Sequence, residues 1–155
     1  MPTKVRLYLP DLSTKCPLPY SEEGVCAGFP SPAENYMTDS IDLNKVLIKN
    51  PETTFFARAY GDSMEEANIH EGDLLIVDRS ILPVNNYIVV AYINGDFVLK
   101  RVFVPESKDC LYLMPENKKY QPIKVTEDMP LTIWGVVTYN VKNQIPGRIR
   151  NDWNS

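Results

Sequence analysis

Ser63 stands in the stretch Tyr60-Gly61-Asp62-Ser63-Met64, and Lys100 in Phe97-Val98-Leu99-Lys100-Arg101. A serine on a glycine-bearing turn and a lysine on an apolar strand form, where they meet, a two-residue hydrolase. Such a pair needs no acidic third member, and the chain's one histidine, His70, need not take part. The strand from Phe97 to Val104 shows why the lysine matters. Side chains alternate faces along a strand, so Val98, Lys100, Val102 and Val104 share one face. Phe97, Leu99, Arg101 and Phe103 share the other. A lysine among three valines is pressed into apolar surroundings, and desolvation disfavours its ammonium. A general base near neutral pH needs a pKa roughly 3 below the usual ~10.4, a difference of about 4 kcal/mol that burial can supply.

Ser63 falls between a predicted strand, Phe55 to Tyr60, and a short helical turn from Met64. Gly61 permits a tight turn there, and Asp62 tolerates one. The backbone N–H groups of Asp62 and Ser63 then form a candidate oxyanion hole. Neutral Lys100 takes the Ser63 proton as the hydroxyl attacks a carbonyl, and returns it to the leaving amine. The plainer alternative is a common Gly-Asp-Ser turn and a strand lysine whose head reaches solvent.

The elements that must position this pair are mostly strands. Thr54–Tyr60, Asp73–Asp78, Tyr87–Ile93, Phe97–Val104, Cys110–Met114 and Leu131–Val141 carry the pattern, and Asn94-Gly95 is a strong hairpin signal. The expected fold class is all-β, a sandwich or partly open β-barrel. Ser40 to Ile48 carries a short helix ended by Asn50-Pro51, with Leu43, Val46 and Leu47 on one face. Six of the thirteen prolines lie within the first 32 residues, and that segment, with no sustained periodicity, is expected to be an extended, mobile arm. Residues 143–155 form a polar tail.

The chain has 155 residues, enough for one domain with its own core. Its net charge of −4 argues against direct DNA binding, which needs clustered lysine and arginine. Its three cysteines, Cys16, Cys26 and Cys110, form neither a paired framework nor a zinc motif, and no cofactor or metal is expected. No apolar stretch reaches the ~20 residues needed to span a membrane, and no signal-peptide pattern is present, so a cytoplasmic location is expected. His70 in Ile69-His70-Glu71-Gly72 is a surface turn residue. Glu65 and Glu66 suit a helix start. Lys118-Lys119 is too short for a nucleic-acid patch.

Gly61-Asp62-Ser63-Met64, then Gly72-Asp73-Leu74-Leu75-Ile76-Val77-Asp78, then Phe97-Val98-Leu99-Lys100-Arg101 resembles the self-cleaving serine peptidases of the LexA/UmuD type. The run Ala27-Gly28-Phe29-Pro30-Ser31-Pro32-Ala33, followed by Ile41-Asp42-Leu43-Asn44, is similar to the UmuD branch. The resemblance extends from Val25 to about Val141. It implies Ser63 as nucleophile, Lys100 as general base and Ala27–Gly28 as the bond cut, with Cys26–Ala27 as the alternative bond. Ala27 suits a tight pocket, and Gly28 lets a backbone approach closely. The implied domains are an arm, 1–27, removed by self-cleavage; a peptidase domain, 28–142; and a tail, 143–155.

The resemblance also implies a homodimer of the SOS DNA-damage response. Its cleavage is stimulated by RecA filaments on single-stranded DNA, and its trimmed form joins a UmuC-like polymerase as the error-prone translesion polymerase V. Lys15-Cys16-Pro17-Leu18-Pro19-Tyr20 resembles the arm segment that touches the sliding clamp, with Pro19 interrupting the hydrophobic pair; its alternative is a linker. No DNA-binding domain precedes Ala27, which favours the polymerase branch over a LexA-like transcriptional regulator. The absence of a membrane anchor argues against a Ser/Lys signal-peptidase relative.

Overall fold

The computed structural model describes residues 4–13, 15, 17–20 and 39–145. Their strands are β1 (Lys4–Tyr8), β2 (Pro17–Tyr20), β3 (Asp39–Asp42), β4 (Thr54–Tyr60), β5 (Leu74–Asp78), β6 (Ile88–Ile93), β7 (Asp96–Phe103), β8 (Leu111–Met114), β9 (Ile123–Val125) and β10 (Leu131–Val141). A single α-helical turn, α1 (Leu43–Leu47), follows β3, with the Asp42 carboxylate accepting from the Asn44 N–H at its start. The regular structure of the described residues is thus almost entirely β, as the sequence pattern predicts. No helix among the described residues is long and apolar enough to cross a membrane.

Eight strands form one antiparallel sheet in the order β1-β4-β5-β10-β6-β7-β8-β9. The sheet curls until β1 also meets β7, through the bridge Lys4↔Val98. The fold is therefore a partly open barrel, with β8 and β9 continuing beyond the closure. The β6–β7 hairpin turns on Asn94-Gly95, both at positive φ (50° and 87°). Those are the dihedral signs of the hairpin turn whose twist matches its strands.

β10 supplies much of the curl. It pairs with β6 and then with β5, and its register slips between Ile133 and Gly135 and again between Val137 and Tyr139. Such bulges bend a strand and increase its twist. Gly135 is required at the first slip: a Cβ there would stand 2.8 Å from Val77 Cγ1 and 3.1 Å from the Asp78 carbonyl oxygen.

The sheet separates two apolar cores. Inside the curl lie Val5, Phe55, Ala57, Ala59, Met64, Leu75, Val77, Val90 and Leu99. Against the opposite face lie Val89, Ala91, Val98, Val102, Leu113 and Val136. β7 feeds both, Leu99 to one and Val98 and Val102 to the other, so alternation along it has an apolar target on each side.

The N-terminal segment differs from expectation. Lys4–Tyr8 is a strand in the main sheet, fully registered on β4 from Lys4↔Tyr60 to Tyr8↔Phe56. Val5 is buried in the inner core and Leu7 packs against it. The alternation Val5, Leu7 is a strand signal, and Pro2 and Pro10 bracket it rather than interrupt it. Likewise Pro17–Tyr20 pairs with Asp39–Asp42, from Pro17↔Asp42 to Tyr20↔Asp39. β9 was also not expected: three residues are too few to show a period.

At one end of β5, Asp78 is buried and accepts hydrogen bonds from Thr53 Oγ1 (2.8 Å), Ser80 N (2.8 Å), Ser80 Oγ (2.7 Å) and Asn50 Nδ2 (2.9 Å). Burial alone would raise its pKa; the hydrogen bonds from Asn50, Ser80 and Thr53 outweigh it and hold the carboxyl at about 2.

Two outcomes are expected. Gly135→Ala should lower stability by about 1–3 kcal/mol, read as a lower urea midpoint at unchanged slope. Asp78, with a folded pKa below its unfolded value, should contribute roughly 2 kcal/mol above about pH 4. That contribution should vanish as pH falls through about 2. Acid titration of unfolding should show this limb, and Asp78→Asn should flatten it.

Candidate active site

β4 ends at Tyr60, and Gly61, at φ +94°, turns the chain into Asp62-Ser63-Met64. A 3-10 turn follows at Glu65–Ala67, close to the expected start at Met64. Met64 is fully buried in the inner core, and its carbonyl accepts from the N–H groups of Ala67 (3.1 Å) and Ile69 (3.2 Å). The methionine thus anchors the turn from below. Ser63 itself is 0% exposed.

Lys100 lies at the centre of β7 and is 4% exposed. Its face carries Val98 and Val102, and its cross-strand neighbour on β6 is Val89. Burial among these side chains lowers the lysine pKa from its ordinary value. A lysine so placed carries a larger neutral fraction at a given pH, and a neutral amine accepts a proton.

Backbone topology carries the serine turn to the lysine strand. On the edge of β7 away from β6, β1 bridges at Val98 and β8 pairs only from Arg101 to Phe103. Leu99 and Lys100 therefore occupy a notch between two ladders. β4 arrives beside that notch, since Tyr60 pairs with Lys4. From the other side Pro115 and Glu116 leave β8 directly after Met114, whose partner on β7 is Arg101. The Glu116 N–H donates to the Ser63 carbonyl oxygen at 2.7 Å, and the Glu116 side chain accepts from Arg101 Nε. Glu116 thereby ties the Ser63 turn to the residue next to Lys100.

The same loop grips the turn at further points. Asn117 Nδ2 donates to the Asp62 carbonyl oxygen (2.8 Å), and the Tyr120 hydroxyl donates to Asp62 Oδ1 (2.6 Å). The Glu66 N–H donates to the Glu116 carbonyl oxygen at 2.7 Å. The Tyr120 bond lowers the Asp62 pKa and, with Asp62 accepting, pushes Tyr120 up to about 12. Sequence reasoning did not find Met64, Glu116, Asn117 or Tyr120. Met64 carries a local signal, an apolar residue directly after the serine. The others carry none, because their partners are far away along the chain.

Ala27 and Gly28 lie outside the described residues. His70 is exposed; its Nδ1 lies 3.0 Å from Lys142 Nζ, which also pairs with Asp73. It belongs to a surface cluster at the end of β10. A cavity of about 700 Å³ is lined by Leu47, Tyr87, Ile88, Arg101, Val137 and Tyr139 among others, and by neither Ser63 nor Lys100.

The sequence profile described as Peptidase S24-like matches residues 19–138. The chain belongs to this family. It is a serine peptidase family with self-cleaving members. Among curated proteins, the chain is 38% identical to Protein MucA of Salmonella typhimurium over 80% of its own length and 84% of that protein. It is 42% identical to Protein SamA of Salmonella typhimurium (strain LT2) over 77% of its length and 81% of that protein. With the LexA repressor of Magnetococcus marinus it shares 36% identity over 83% of its length and 53% of the repressor. All three alignments are long enough to span the strand that carries Lys100 and the turn that carries Ser63.

A buried lysine should weaken the fold of a family member while it is charged. Its folded pKa lies below its unfolded value, so the cost is complete below the folded pKa and gone above ~10.4. Lys100→Met should therefore raise the unfolding midpoint at pH 7, and the gain should shrink as pH approaches 10. A midpoint lowered at pH 7 would mean that Lys100 stabilises the fold as a charged group.

Proposed function

We propose that this chain is a self-cleaving Ser/Lys peptidase of the SOS DNA-damage response, whose trimmed form serves an error-prone translesion DNA polymerase as accessory subunit. The observation that supports this chemistry is Lys100, buried on a valine face of β7, with the Ser63 turn tied through Glu116 to the neighbouring Arg101. Membership of the Peptidase S24-like family and the similarity to MucA and SamA support the wider role.

In this reading neutral Lys100 removes the Ser63 hydroxyl proton as Oγ attacks the carbonyl carbon of Ala27. The backbone N–H groups of Asp62 and Ser63 stabilise the developing oxyanion. The Lys100 ammonium then protonates the departing Gly28 nitrogen, and water hydrolyses the acyl-serine. Residues 1–27 leave and 28–155 remain. Pairing of Tyr20 with Asp39 holds the ends of the segment that contains Ala27–Gly28 side by side. A substrate bond in the same chain as its nucleophile reacts unimolecularly, so a weak nucleophile suffices for one slow turnover. The Cys26–Ala27 bond is the alternative target.

The partners that go with this role are a second copy of the chain, a RecA filament on single-stranded DNA that stimulates cleavage, and a UmuC-like polymerase. The segment around Pro17–Tyr20 is the candidate contact for the sliding clamp. The setting is cytoplasmic, and the net charge of −4 assigns DNA contact to the partners. Similarity to a LexA repressor supports a second reading, an interaction module acting on transcription. Transcript profiles of a deletion strain under DNA damage separate the two, since the polymerase role alters induced mutagenesis alone.

The purified protein, incubated at pH 7 and pH 10 and at pH 7 with RecA-coated single-stranded DNA, should yield a mass beginning at Gly28. Cleavage should be faster at pH 10, where more Lys100 is neutral. Ser63→Ala and Lys100→Ala should each reduce it at least a thousandfold. Cleavage that persists in either variant, or a rate indifferent to pH, would contradict the dyad.

A further inference from the structure

The loop that leaves β8 does more than join it to β9. Asn117 is held by its own backbone, its Oδ1 accepting from the Lys119 N–H (3.0 Å) and its carbonyl from the Tyr120 N–H (3.1 Å). From this preformed loop Tyr120 reaches across to the residue immediately before Ser63 and donates to its carboxylate at 2.6 Å. Asn117 fixes the carbonyl of the same residue, and Glu116 fixes the carbonyl of Ser63. Three contacts thus fall on two consecutive residues, and Tyr120 makes the only one of them that ends on a side chain. The peptide plane between Asp62 and Ser63 also contains one of the two N–H groups assigned to the oxyanion.

We propose that Tyr120 is a positioning residue for self-cleavage, its hydroxyl locking the Asp62 carboxylate and with it the turn that presents Ser63. This rests on the peptidase reading above. The arrangement suits an alkaline reaction. Lys100 gains activity as pH rises toward 10, and a tyrosine of ordinary pKa would ionise over the same range. A phenolate against the Asp62 carboxylate would lose its donor and repel the turn. The carboxylates facing the Tyr120 hydroxyl, Asp62 and more distantly Glu65, oppose that ionisation, and the hydroxyl stays protonated to about pH 12. The lock therefore holds through the whole window in which the lysine becomes a base.

The test is the rate of self-cleavage of the full chain from pH 7 to 11, read from intact masses, for wild type, Tyr120→Phe, Asp62→Asn and the double variant. Tyr120→Phe removes one oxygen from a half-buried ring and should cleave about tenfold more slowly at every pH. Asp62→Asn removes the charge that keeps Tyr120 protonated, so its rate should turn down near pH 10 while the wild-type rate is still rising. The double variant should be no slower than the slower single one, since both remove one interaction. Tyr120→Phe within twofold of wild type, or an Asp62→Asn profile parallel to wild type, would overturn the assignment while leaving the dyad intact. A wild-type chain that fails to cleave both alone at pH 10 and with the RecA filament would overturn the peptidase reading and this inference together.

Discussion

An ammonium taken out of water is unstable in proportion to how completely it is surrounded, and β7 surrounds Lys100 almost entirely. The strand can do so because it has apolar partners on both faces. Leu99 seats in the inner core and Val98 and Val102 in the outer one, so the lysine shares an apolar face and is 4% exposed. The two bulges of β10 and the contact made by Gly135 give the sheet the curvature that brings β1 round to β7. Without that closure the Lys100 notch would be an open sheet edge.

The reaction proposed here requires that the serine be delivered to this buried lysine. The turn at Gly61 is held from two directions. Met64 draws it down into the barrel, and the loop from Glu116 to Tyr120 grips it from the side. Both are built supports, a core side chain and a hydrogen-bonded loop, and together they fix the turn that carries Ser63. The cavity of about 700 Å³ lies away from Ser63 and Lys100.

β7, the Asn94-Gly95 hairpin and the full extent of β10 are visible in the sequence because each is dictated by local pattern: alternation, a turn dipeptide, a long apolar run. The apolar face of Lys100 is visible for the same reason. β1 is obscured because two prolines flank a strand that itself obeys the period. β2 is obscured because Pro17 and Pro19 lie inside it, and a two-stranded ribbon tolerates them where a central strand would not. The grip on Asp62 cannot be read locally at all. Asn117 and Tyr120 stand 55 and 58 residues from it, and only the β7–β8 pairing brings them there. Polar residues in a turn look alike in sequence whether they face solvent or a nucleophile.

Everything proposed for Ser63 depends on the protonation of one amine. The most direct measurement is an NMR titration of the Lys100 side chain in the uncleavable Ser63→Ala chain. Its 13Cε resonance is assigned by its absence in Lys100→Arg. A midpoint well below the ~10.4 of an ordinary lysine is the predicted result. A midpoint at or above that value would mean that the buried lysine is held charged by its surroundings, and the base of the proposed reaction would have to be sought elsewhere.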